Sequence, residues 1–74
     1  MAYEFSTAEG VLRLVRRQRH WVVAFKGRQA GPWRSPDAAV QALVRRRSGL
    51  AEWDEGRSVV PDDLLDWRPL GESL

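Results

Sequence analysis

Arg13, Arg16, Arg17 and Arg19 fall within seven positions, interleaved with Leu14 and Val15 and followed at once by His20 and Trp21. Lys26, Arg28 and Arg34 continue the series. A guanidinium fork matches phosphate oxygens and base edges, so the chemistry such a cluster offers is polyanion binding. Bond-breaking chemistry has less to work with. His20 is the only histidine and there is no cysteine, and a lone strand histidine beside a tryptophan reads as structural or solvent-facing sooner than as a general base. Asp62, Asp63 and Asp66 lie within five positions and offer oxygen ligands to a hard cation. No Gly-containing calcium loop surrounds them, and acids at a helix start are expected without a metal. Gly27 and Gly31 form no phosphate-cradling loop ahead of a helix, and Asp37 repels an anion at the one strong helix start. The expectation is a non-enzyme with no cofactor, no metal and no small-molecule substrate.

Charge divides along the chain. Residues 1–49 carry ten Lys/Arg against three acids, and residues 50–74 carry two against seven, within an overall balance of +2. A basic body with an acidic tail suits binding a polyanion, binding its own tail, or each in turn. Arg45, Arg46 and Arg47 read either as a phosphate cluster or as the basic end of a helix, where cations oppose the dipole. At 74 residues the chain makes one small domain, near the lower limit for a self-sufficient core. Without disulfides, stability rests on aliphatic packing and on Trp21, Trp33, Trp53 and Trp67. Two of these lie in the acidic tail, so the tail is expected to pack. No stretch reaches the roughly 18 apolar residues of a membrane span, and Glu4 stands where a secretion signal would be positive. A cytoplasmic location without membrane contact is expected.

The elements that must position the arginines follow from pattern. Residues 11–17 alternate and are rich in branched side chains, which predicts a strand. Gln18-Arg19 supplies a turn, residues 20–25 a second strand, and Lys26-Gly27-Arg28 a hairpin turn with a glycine for positive φ. Residues 29–33 return as a third strand, placed at an edge because Pro32 has no N–H to donate. Ser35 as cap, Pro36 at the first helical position and Asp37 at the positive dipole end predict a helix from Pro36 to about Arg47, stopped by Gly49. Its face of Ala39, Val40 and Leu43 should meet Trp21, Val23 and Phe25. Ala51–Trp53 reads as a turn or a fourth strand, and residues 61–67 as one or two helical turns. Tyr3 and Phe5 may contribute a short strand at the front.

The fold expected is α+β: an antiparallel meander of three strands, or four, with the strand at 20–25 in its middle and one main helix on one face. It is a single domain of residues 1–74, with an arm at 1–10, a body at 11–49 and an acidic tail at 50–74. Val15, Val22 and Ala24 would form an apolar strip on the opposite face, flanked by Arg13, Arg17, Lys26 and Arg28. A central strand apolar on both sides implies that both are covered, by a partner or by the tail through Trp53, Leu64, Leu65 and Trp67.

The run Arg13-Leu14-Val15-Arg16-Arg17-Gln18-Arg19-His20-Trp21-Val22-Val23-Ala24-Phe25, followed by Gly31-Pro32-Trp33-Arg34-Ser35-Pro36-Asp37-Ala38-Ala39, is similar to the DNA-binding domain of plant ethylene-response factors and to the arm-binding domain of tyrosine integrases. The resemblance covers about residues 11–47 and leaves the tail outside it. It implies a sheet laid into the DNA major groove, with Arg13, Arg16, Arg17, Arg19, Lys26 and Arg34 in contact. That family projects polar side chains from its second strand, where this chain has Val22 and Ala24. Two readings follow. In one, a binding module associates with DNA through its basic sheet edge (Arg28 included) while the tail modulates access. In the other, the tail packs permanently over the outer face of a protein-interaction or structural domain, whose partner is another protein or a second copy.

Overall fold

Leu12 and Leu14 are fully buried while Val11, 41% exposed, and Arg13 alternate with them, which is the period-two signature of a sheet with one covered face. The computed structural model describes residues 2–70 and builds five strands: β1 (Ala2–Thr7), β2 (Gly10–Arg17), β3 (His20–Phe25), β4 (Arg28–Trp33) and β5 (Arg68–Leu70). Two α-helices, α1 (Pro36–Val44) and α2 (Ala51–Asp54), and a 3-10 turn at Leu64–Asp66 lie between β4 and β5. The sheet is antiparallel with order β4-β3-β2-β1-β5.

The α+β class and the packed helix are as expected, and the strand count is higher. Residues 2–7 pair along their whole length with β2, from Ala2 opposite Val15 to Thr7 opposite Gly10. They form the front strand expected at Tyr3 and Phe5, lengthened to Ala2–Thr7. β5 adds on the far side of β1, with Arg68 opposite Glu4 and Leu70 opposite Ala2. The centre of the sheet therefore moves from β3 to β2. Ala51–Trp53 is helical where a turn or strand was expected, and residues 61–67 shorten to one 3-10 turn. Pro32 does lie in an edge strand, at a bulge where Gly31 and Pro32 together oppose Val22.

Lys26 and Gly27 both take positive φ, 51° and 78°, the pair of conformations a type I′ hairpin turn requires. Ser35 caps α1 as expected, its Oγ accepting from the Ala38 N–H at 3.1 Å with Pro36 at the first turn. The helix ends at Val44, three residues before the predicted stop. Arg46, not Gly49, takes the left-handed position with φ 56°. The Arg47 N–H then reaches the Ala42 carbonyl at 2.9 Å and the Arg46 N–H the Leu43 carbonyl at 3.1 Å. This is the Schellman pattern of helix termination.

All helices lie on one face. Ala39, Val40 and Leu43 of α1 pack with Leu12, Leu14, Trp21, Val23 and Phe25 of the sheet, and Leu50, Trp53 and Trp67 belong to the same core. Trp53 stands edge-on to Phe25 with ring centroids 5.6 Å apart and donates its indole N–H to the Leu43 carbonyl at 2.9 Å. Trp67 packs against Phe5 at 5.7 Å. The tail is thus an integral layer on the helix side. Through residue 70 its tryptophans pack on that side rather than over the opposite face. Among the described residues no helix is long and apolar enough to cross a membrane.

Candidate nucleic-acid interface

Strand pairing fixes which side chains share the uncovered face. Paired residues point the same way, so Val15 and Val22, Arg13 and Ala24, and Arg17 and His20 stand side by side on it. β1 adds Ala2, Glu4 and Ser6, and β5 adds Arg68 and Leu70. Val15, Val22 and Ala24 are half-buried by their neighbours, whereas Arg13, Arg17, His20 and Arg68 are exposed. An aliphatic strip framed by arginines results. Nothing among the described residues lies across it.

The seven expected contact residues separate into three groups. Arg16, Arg17 and Arg19 cluster at the β2–β3 turn, where the Arg16 Nε donates to the Gln18 carbonyl at 3.1 Å; Arg17 shares the open face with His20, whereas Arg16 pairs with Trp21 and stands on the helix side of the sheet. Arg34 joins them, because Trp33 pairs with Trp21 and brings the end of β4 beside the start of β3. All four are exposed, and none forms an ion pair within the described residues. Asp37, at the helix start nearby, is not paired with them either. Arg13 stands on the open face itself, its Nε 3.3 Å from the Glu4 carboxylate.

Lys26 and Arg28 sit apart from that cluster, at the β3–β4 turn beyond Ala24, roughly 17 Å from the β2–β3 turn for a strand of this length. There the Lys26 Nζ is 3.6 Å and the Arg28 Nε 3.7 Å from the Glu52 carboxylate of α2. Arg28 pairs with Phe25, which places it on the helix side of the sheet. The tail thus sets a counter-charge beside this pair.

Other acids of the tail are engaged on the helix side as well. The Asp54 carboxylate accepts from the Ser48 N–H, the Ser48 hydroxyl and the Gly49 N–H at 3.1, 2.8 and 3.1 Å. Asp63 caps the Leu65 N–H at 2.9 Å. Near the β1–β2 turn, Glu9 accepts from the Ser58 N–H at 3.0 Å. Hydrogen bonding from the Ser58 side chain and N–H, helped by the Arg57 backbone and the charge of Lys26, holds Glu9 below its ordinary value of 4.5 against partial desolvation. Asp62, Asp63 and Asp66 do not converge, and no metal-holding cluster exists among the described residues.

Of the three helix-end arginines, Arg46 is structural. It donates to the Trp53 and Ser58 carbonyls, the first at 2.7 Å, and lies over the Trp53 ring. Arg45 and Arg47 remain exposed. Sequence reasoning did not single out Arg68. Its signal is a lone cation between Trp67 and Pro69, which acquires meaning only when β5 pairs with β1 and sets it opposite Glu4. No family model, curated protein or solved structure matches this chain.

Proposed function

We propose that this protein is a non-enzymatic binding module that holds nucleic-acid phosphates with the open sheet face and its β2–β3 end. Arg17, Arg19 and Arg34 supply the main contacts, Arg16 adds its charge from the helix side of the same β2–β3 end, and Arg13 and Arg68 extend them across the face. One observation carries the reading: acids of the described tail are engaged on the helix side, so among the described residues the basic end has no counter-ion. Exposed, unpaired arginines at one end of a rigid hairpin release condensed counter-ions when they meet a phosphate backbone. A regulatory flap is not part of this proposal, since the tail's tryptophans lie in the core.

Titration of a labelled DNA duplex at two salt concentrations tests it. For about four phosphate contacts, affinity falls roughly 100-fold between ~50 and ~200 mM salt. Absence of binding at the lower salt eliminates the proposal.

A further inference from the structure

Strand register sets Leu70, Ala2, Val15 and Val22 opposite one another in turn, so a half-buried aliphatic row crosses β5, β1, β2 and β3 at right angles to the strands. Arg17 and His20 pair on one side of this row. On the other side lies the row Arg68, Glu4, Arg13 and Ala24. Resting on the reading above, we infer that the ligand of this face is a single strand of nucleic acid, laid across the strands with its bases against the aliphatic row and the His20 ring.

Width decides against a groove. Four inter-strand steps of about 4.8 Å separate the outer strands of the sheet by roughly 19 Å, whereas the major groove of B-form DNA is about 12 Å across. The face therefore meets a duplex only from outside, where sugar and phosphate press on the aliphatic row and the base faces stay stacked out of reach. A single strand presents both chemistries at once: phosphates for guanidinium groups, and unstacked base faces for a ring or a guanidinium plane. Among the described residues His20 carries the one ring on this face, since the seven Trp, Tyr and Phe side chains all belong to the core or pack against it. His20 is exposed and stands beside Arg17, whose planar fork is a second stacking surface. Charge argues against a second copy of the chain as the occupant. Two such faces brought together set Arg13, Arg17 and Arg68 against their own copies, with Glu4 the one acid in those rows.

Fluorescence anisotropy of the full-length chain at low salt compares four labelled probes of about 12 nucleotides, within the span of a single-strand site. They are oligothymidylate, oligouridylate, an abasic strand with the same number of phosphates, and a mixed-sequence DNA duplex. The expected result is that a base-bearing strand binds about five- to tenfold tighter than the abasic strand and tighter than the duplex. Whichever of thymidylate and uridylate binds tighter names the sugar. His20→Ala should weaken that strand about fivefold and leave the abasic strand unchanged, and His20→Phe, which keeps a ring, should restore it. Equal affinity for base-bearing and abasic strands, or tighter binding of the duplex, overturns the inference and leaves phosphate binding standing. An unaltered preference in His20→Ala overturns it equally. Absence of binding to every probe removes the reading beneath it. Sedimentation of the free protein supplies the remaining arm: a dimer that Val15→Thr/Val22→Thr dissociates assigns the row to a second copy and overturns the inference.

Discussion

Arg46 stacks over the Trp53 ring, 5.3 Å from guanidinium carbon to centroid, and donates to the carbonyl of the same tryptophan at 2.7 Å. With its second donor on the Ser58 carbonyl, this one side chain ties the end of α1 to α2 and to the segment beyond. Its backbone, at φ 56°, also terminates α1. Arg46→Ala should lower stability by about 1–3 kcal/mol, from the lost cation–π contact and the lost hydrogen bonds to two carbonyls, of which that of Trp53 keeps the Gly56 N–H. Arg46→Lys keeps the charge but lacks the fork, and should recover less than half of the loss. Urea midpoints of the three proteins check this.

Because Leu50, Trp53 and Trp67 complete the core, removal of residues 50–74 should unfold the chain rather than free a binding face. Trp53→Ala alone should cost about 3–5 kcal/mol. A domain this size has about 4–11 kcal/mol in total. Loss of the cooperative thermal transition on truncation is the expected observation.

Charge reversal should separate the two ends of β3. Arg17→Glu with Arg19→Glu is expected to weaken duplex binding at least about 30-fold at low salt and to flatten its salt dependence by about two phosphate contacts. Lys26→Glu with Arg28→Glu repels Glu52 and should lower stability slightly, with an effect on binding of less than about fivefold. Equal losses from the two pairs would contradict the assignment of the interface to the β2–β3 end.

Glu9 sets an acid limit. Its folded value is depressed, so its contribution is complete above about 4.5, the ordinary value, and is lost as pH falls through the folded value. Glu9→Gln should therefore be less stable than the native chain at pH 6 and converge with it in strong acid. Unfolding midpoints measured from about pH 6 down to pH 2 test the convergence.

Two glycines are held by space. A Cβ at Gly31 would lie 2.9 Å from the Trp21 carbonyl oxygen at φ 135°, and one at Gly56 would lie 2.9 Å from the Glu52 carbonyl oxygen. Gly31→Ala and Gly56→Ala should each cost about 1–3 kcal/mol. Gly27, at the exposed β3–β4 turn, has nothing within 4 Å of such a Cβ. Gly27→Ala should cost only the positive φ, about 1 kcal/mol. Melting temperatures rank the three.

Local chemistry by itself determined β2, β3, β4 and the start of α1. Alternation marks a half-buried strand, and Ser35-Pro36-Asp37 satisfies a helix N-terminus within four residues, so neither depends on distant partners. The arginine cluster at 13–19 was legible for the same reason, since a tight hairpin keeps sequence neighbours together in space. Only tertiary structure decided the rest. Residues 68–70 become a strand by pairing with β1 across more than 60 positions of chain, which no local propensity encodes. Likewise Lys26 and Arg28 look like Arg17 in the sequence, and differ from it in the fold because Glu52 supplies them a counter-charge. The side on which Trp53 and Trp67 pack was settled by the helix face, where the aromatic rings find Phe25 and Phe5; that choice leaves the opposite face open.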